Sequence, residues 1–232
     1  MSTHRTLAIT AFNEQLYREY AHRFVETFSG IDLRIYSEDT LPIKSNHLYY
    51  QEQFVKRNSH RPKNNFKYDA VRFCYKPYTV AQAYEEYGYE YSRLLWLDAD
   101  TVFKKSITEE WIDANLYGPA LLCYLGRPNY HSETGLLLFD LRHQHTGDYI
   151  NTVREYYDTD TIFLQKEWHD SYIWDRAREQ YPRTLFHNIS ADIPKVPGGH
   201  IFNYLFADTM DHRKGKRKQH AHSPEKQHKG SN

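Results

Sequence analysis

The chain has 232 residues and only two cysteines, Cys74 and Cys123, too few for a disulfide framework. It has no excess charge of either sign, with 30 Lys and Arg against 30 Asp and Glu. That balance argues against a nucleic-acid coat protein and against a generally polybasic membrane binder. Long apolar runs are also missing. Residues 120–124 and 136–139 are typical of what is there, far short of the roughly 20 residues of a membrane-spanning helix. The opening MSTHRTLAIT holds no apolar stretch of signal-peptide length. The expectation is a reducing, cytoplasmic setting with no transmembrane segment. No internal repeat and no linker divides the sequence.

Apolar and aromatic residues are plentiful, at 40% and 16%, which excludes bulk disorder. The 21 tyrosines combine a large contact face with a polar tip, suited to polyhydroxy ligands and interfaces as well as to packing. Residues 6–12 read as a buried strand, and Leu16, Tyr17, Tyr20, Phe24 and Phe28 are spaced for a helix that Ser29 and Gly30 end. Residues 33–36 read as a second strand, so the chain opens on a βαβ pattern. Residues 42–65 are polar, a loop or small helical excursion. Residues 66–87 turn helical again, with a break predicted at Pro77. Strands are expected at 94–97, 121–125 and 135–141, and helices at 149–157 and 171–181, the second ended by Pro182. Residues 185–188 and 193–196 are short edge strands or loops. The expected organisation is one α/β domain over 1–218, then a flexible basic and histidine-rich tail over 219–232.

Three groups of residues carry chemistry. Leu94, Leu95, Trp96 and Leu97 run straight into Asp98, Ala99 and Asp100. Ligands of open α/β sheets bind beyond the carboxyl ends of strands, and a carboxylate pair there can hold a hard divalent ion together with phosphate oxygens. The same pair would also serve as solvated turn caps. Trp168, His169 and Asp170 precede a helix, where Asp170 either meets a polar ligand or caps the helix. The run from Asp211 to Lys218 contains His212, able to complete a metal site, and cations able to neutralise a diphosphate. By composition alone, it is a solvated basic tail.

In this order the motifs resemble those of metal-dependent nucleotide-sugar glycosyltransferases of the GT-A fold. The likeness takes in residues 7–12, 35–39, 66–76, 94–100, 133–141, 168–170 and 212–215, and so most of 5–218. It implies a Rossmann-like α/β fold with a central mixed sheet flanked by helices. It implies Asp98, Asp100 and His212 as ligands of Mn²⁺ (or Mg²⁺), and a UDP-sugar donor whose diphosphate lies under Lys214, Gly215 and Lys218. Thr10, Ala11 and Phe12 would line the nucleoside pocket, Asp98 would also touch the donor, and Arg72 and Lys76 would sit near donor sugar or phosphate, or else on a helix surface. Asp170 and Glu133 become the candidate catalytic residues, Glu133 being otherwise a cap before its strand. Trp168, His169 and Asp170 look like the motif of the blood-group-type α-galactosyl and α-N-acetylgalactosaminyl transferases. There a glutamate follows; here the residue is Ser171, which cannot act as a carboxylate nucleophile.

The implied activity is hexosyl transfer to a hydroxyl of a glycan or other acceptor, with retention. The acceptor is expected near 42–65 and 127–131, with Tyr49, Tyr50 and Tyr130 stacking on sugar faces. Two rival readings are a sugar nucleotidyltransferase, which lacks its glycine-rich loop near 7–12, and a non-catalytic glycan-binding protein. No nucleic-acid reading motif is recognisable, so no nucleic-acid partner is expected.

Overall fold

The computed structural model describes residues 4–61, 65–193, 196 and 200–214. The chain opens with β1 (Thr6–Ala11), followed by α1 (Glu14–Leu16), a π-helical turn (Tyr17–Ala21), α2 (His22–Thr27) and β2 (Asp32–Ser37). The helix expected over 14–28 is therefore three abutting pieces; the Asn13 side chain caps the first, accepting from the Leu16 N–H. Next come β3 (Asn46–His47) and α3 (Glu52–Asn58), which fill the stretch read as a loop or small helical excursion. A 3₁₀ turn (Phe66–Tyr68), α4 (Ala70–Phe73) and α5 (Tyr75–Tyr87) follow. The break predicted at Pro77 falls instead at Cys74. Pro77 sits in the first turn of α5, where its missing N–H has no intrahelical acceptor to lose.

Then come β4 (Arg93–Leu97), β5 (Thr101–Phe103), α6 (Glu109–Asn115), β6 (Leu122–Arg127) and β7 (Tyr130–Asp140). The chain continues through α7 (Thr146–Asp158), a 3₁₀ turn (Thr161–Leu164), α8 (Asp170–Arg178), β8 (Phe186–Asn188), α9 (Ile201–Phe206) and β9 (Met210–His212). The sheet order is β3-β2-β1-β4-β7-β6-β8. Pairing is parallel from β3 to β4 and between β6 and β8, and antiparallel on both sides of β7. The expected mixed α/β sheet is present. Of residues 193–196, 194 and 195 lie outside the described residues, and 193 and 196 are not in a strand.

All five residues of β4 are buried, as a strand covered on both faces must be. Alternation divides its neighbours between two cores. Leu94, Trp96, Leu137 and Phe139 face the layer that includes Val80, Ile150, Ile173 and Trp174. Leu95, Leu97, Leu136 and Leu138 face Phe24, Ile112, Ile201 and Phe206. The antiparallel β4–β7 register, Leu97 opposite Leu136, brings the Gly135 carbonyl to the Asp98 N–H at 2.9 Å. A separate two-stranded ribbon pairs β5 with β9, Thr101 opposite His212. That pairing returns the end of the described chain to the carboxylates after β4.

Candidate active site

A cavity of about 1560 Å³ opens beside the carboxyl ends of β1, β2 and β4. Asp98 is the first residue beyond β4, and its Oδ1 accepts from Trp96 Nε1 at 2.8 Å. His212 Nε2 lies 2.9 Å from Asp100 Oδ1 and 3.5 Å from Asp98 Oδ2. One donor atom from each of these three residues falls within 4.8 Å of the other two. The histidine backbone is held from behind: its N–H donates to Asn203 Oδ1 (2.7 Å), and Asn203 Nδ2 donates to its carbonyl (3.1 Å). Burial would lower the His212 pKa, but Asp100 and Asp98 outweigh it and lift it to about 9. Gly135 makes room for the ring. A methyl group there would lie 2.4 Å from His212 Cε1 and 2.6 Å from Nδ1. Two carboxylates and an imidazole that gives up its proton to the ion are a donor set able to hold one divalent ion, and the metal-free ring stays charged between the same carboxylates.

Lys76 stands next to this set and is 9% exposed. Its Nζ lies 2.9 Å from Asp98 Oδ1, 2.6 Å from Asp170 Oδ2, 2.8 Å from the Thr134 carbonyl and 3.0 Å from Thr134 Oγ1. An ammonium has three protons, so these acceptors occupy it fully. Burial works against its charge, yet the two carboxylates prevail and raise its pKa above the ordinary lysine value. Lys76 thus bridges the carboxylate pair after β4 to the start of α8.

Asp170 is the first residue of α8, but it does not cap it. His169 does, its Nδ1 accepting from the Tyr172 N–H at 3.2 Å. Asp170 is freed to face the cavity, with Thr134 Oγ1 donating to its Oδ2 at 2.9 Å. The Ser171 hydroxyl lies 3.1 Å from the same Thr134 oxygen. Glu133 is 2% exposed and lies in β7. Its Oε1 accepts from the Gly135 N–H at 3.0 Å, and its Oε2 meets Lys214 and, at 3.6 Å, Arg127. Burial alone would raise its pKa; Lys214, His212 and Arg127 instead hold it near 2. The three residues of the Glu133-Thr134-Gly135 run divide the work among them. Glu133 braces Lys214, Thr134 joins Lys76 to Asp170, and Gly135 seats His212.

Ala11, Phe12, Arg72 and Lys214 also line the cavity. Thr10 does not: it is fully buried within β1, opposite Ile35. Gly215, Lys218 and the 219–232 tail lie outside the described residues. The expected acceptor tyrosines divide as well. Tyr50 bonds Glu85 and packs on Tyr49, and neither lines the cavity, whereas Tyr130 does. Sequence reasoning missed Thr134, Trp96 and Asn203, whose roles depend on contacts across the fold. It also missed Glu167, directly before Trp168.

Glu167 forms a second cluster with His131 and His169. Its Oε2 is 2.8 Å from His169 Nε2 and 3.7 Å from His131 Nε2, and its Oε1 is 2.8 Å from Lys67 Nζ. The capping bond makes His169 Nδ1 an acceptor, so in the neutral ring the proton resides on Nε2 and points at Glu167. A protonated Nε2 cannot ligate a metal. Burial lowers the His169 pKa, which favours this neutral form.

No protein-family model matches the chain, and no curated protein matches it. Solved structures do. One is a glycosyltransferase involved in glycosylation of the major capsid of PBCV-1, 12% identical, with a TM-score of 0.50 over 93% of this chain and 99% of that one. The bifunctional glycosyltransferase WbbM is 11% identical, with a TM-score of 0.49 over 93% of this chain and 47% of its own. The glycosyltransferase GlyE of Streptococcus pneumoniae TIGR4 is 12% identical, with a TM-score of 0.46 over 79% of this chain and 45% of its own. The chain thus spans about half the length of two of these and nearly all of the capsid enzyme. The likeness to the capsid enzyme is one of fold: this chain has a glycosyltransferase fold.

Proposed function

We propose that the chain is a metal-dependent glycosyltransferase that moves a hexosyl unit from a nucleoside-diphosphate sugar, UDP-linked, to an acceptor hydroxyl with retention. The observation that carries this reading is the convergence of Asp98, Asp100 and His212 at the edge of a large cavity beyond β4. A borderline nitrogen among hard oxygens suits Mn²⁺ better than Mg²⁺. Such an ion would neutralise charge on the departing diphosphate. Lys214, anchored by Glu133 on the cavity wall, is placed to add its charge to the same end. Ala11 and Phe12 offer the nucleoside an apolar wall, and Arg72 offers a cation.

In the transfer, the bond from the anomeric carbon to the diphosphate oxygen breaks and its electron pair leaves with the diphosphate. A new bond forms to the acceptor oxygen, whose proton passes to the departing diphosphate. This route requires no protein base, which agrees with the surroundings of both candidate carboxylates. Glu133 is held ionised by Lys214 and Arg127. It is a poor proton acceptor in that setting, and Asp170 is occupied by its ion pair with Lys76. Asp170 is suited to orienting sugar hydroxyls, and Ser171 leaves no carboxylate beside it for a covalent intermediate. The two cysteines are free and buried, which accords with a reducing cytoplasm.

A screen of nucleotide sugars, reading released nucleotide with Mn²⁺ present, tests this. Asp100→Ala and His212→Ala should each lower release by about 100-fold or more. Turnover of no donor, or parental rates in both variants, refutes the reading.

A further inference from the structure

The Lys67–Glu167–His169–His131 cluster is not used by the donor chemistry, yet it lines the same cavity. The geometry points to an acceptor subsite here for a pyranose ring, with Phe66 as its stacking face and Glu167 and His131 as its hydroxyl partners. This rests on the glycosyl-transfer reading and adds where the second sugar sits.

Phe66 is 59% exposed, although it borders the cavity. The 3₁₀ turn that carries it is fixed rather than loose. The Asn65 side chain accepts from the Lys67 N–H at 3.0 Å, and the Trp168 N–H donates to the Lys67 carbonyl at 2.6 Å. The Phe66 ring leans on His169, with centroids 5.7 Å apart and planes at 37°. His169 in turn meets His131, at 5.3 Å. Three rings thus form a continuous strip along one wall, and Tyr130, 61% exposed, borders the same cavity beside His131. Such an aromatic wall with a few convergent polar groups is the usual make-up of a small-molecule site.

The polar groups fit a sugar better than an ion. Each Glu167 oxygen already accepts one protein donor, from Lys67 or His169, and a carboxylate offers about four lone-pair sites. About two sites therefore remain for hydroxyl donors. His131 Nδ1 lies 3.4 Å from Asp175 Oδ2, whose oxygen also accepts from the Ser132 N–H at 3.0 Å. Asp175 therefore orients the ring, leaving Nε2 on the Glu167 side. While His169 Nδ1 accepts the capping bond, its Nε2 keeps the proton and faces Glu167 as a donor, which suits a hydroxyl network better than an ion. Hydroxyl donors and acceptors on the rim of an apolar ring are what a pyranose presents, and a pyranose C–H face would cover Phe66.

Saturation-transfer NMR tests this on the full chain with UDP and diamagnetic Mg²⁺ present. The probes are the methyl β-pyranosides of glucose, galactose and N-acetylglucosamine. We expect saturation on the ring C–H protons of at least one probe, lost in Phe66→Ala and retained in Phe66→Tyr. No saturation on any probe, or equal saturation in Phe66→Ala, overturns the subsite. Donor turnover is scored separately. A protein that releases nucleotide but contacts no pyranoside loses the subsite alone. One that contacts a pyranoside through Phe66 but turns over no donor loses the transferase reading and keeps the saccharide site.

Discussion

Replacing Gly135 with alanine is the sharpest perturbation of the site. Gly135 does not have a positive φ, unlike Gly30, so an alanine backbone is unstrained there. In such a position Gly→Ala ordinarily stabilises by about 0.4–1 kcal/mol, through the unfolded state. Here the added methyl would lie 2.4 Å from His212 Cε1 and 3.1 Å from Glu133 Oε1. Comfortable carbon contacts begin at about 3.5 Å, so the imidazole has to retreat by roughly 1 Å. Little space receives it: His212 is 2% exposed, Phe202 packs against it at 4.9 Å, and Asn203 fixes its backbone. The movement changes the 2.9 Å contact to Asp100. Overpacking of this kind costs about 1–3 kcal/mol, and a misplacement of about 1 Å in a working group costs about 100-fold in rate. The expected outcome is a lower melting temperature, Mn²⁺ affinity reduced about 10- to 100-fold, and nucleotide release slowed to match. Thermal melting by circular dichroism and Mn²⁺ titration by calorimetry read these effects. An alanine variant that melts no lower than the parent and binds Mn²⁺ equally well would falsify the packing argument.

Lys76→Met takes the shared cation from buried Asp170 and from half-buried Asp98, which still has His212 beside it, at a cost of about 3–5 kcal/mol carried mainly by Asp170. Thermal melting should fall by about 6–20 °C, and a drop under about 2 °C would mean that Lys76 does not bridge the two carboxylates. His169→Ala removes both a helix cap and the donor to Glu167; about 1–3 kcal/mol should be lost. His169→Asn should recover the cap share, and equal losses in the two variants, read by urea denaturation, count against the cap. Burial raises the Cys123 thiol from its ordinary value near 9 to about 11, and Cys74 is pushed up as well. The neutral thiols are favoured in the fold, so they stabilise it below the unfolded-state pKa. That contribution is lost as pH rises through the folded value. Neither cysteine should react with a disulfide reagent at a pH of about 8 until the protein is unfolded, and rapid native labelling would contradict their burial.

Local patterns make much of the site legible. The Leu94-Leu95-Trp96-Leu97 run into Asp98 is a buried strand ending at the cavity, and the Glu133-Thr134-Gly135 run is indeed next to it. The first follows from an apolar run and a strand end, which depend on near neighbours; the second is marked only by resemblance, and it lies inside β7, whose start the sequence pattern puts at Gly135. Phe66–Tyr87 shows where local patterns stop. Proline position suggests a break at Pro77, but helix-start geometry tolerates proline, and the chain turns at Cys74. Thr10 fails as a pocket residue for a related reason: sequence shows that a strand ends near the site, not which way each side chain points.

Residue type and spacing alone are enough for the central strands β1, β2, β4 and β6, for the carboxylates after β4 and for the cations after His212, but not for β3, β5 and β9. Tertiary structure decided which charges meet. Lys76 leaves α5 to bridge Asp98 and Asp170, and β9 crosses back to bring His212 onto Asp100. Glu133 meets Lys214 across the fold. A buried charge takes the partners that crossovers place within a few ångströms of it, because desolvation makes an unpaired state costly. Those crossovers join segments far apart in the chain, and no local pattern encodes them.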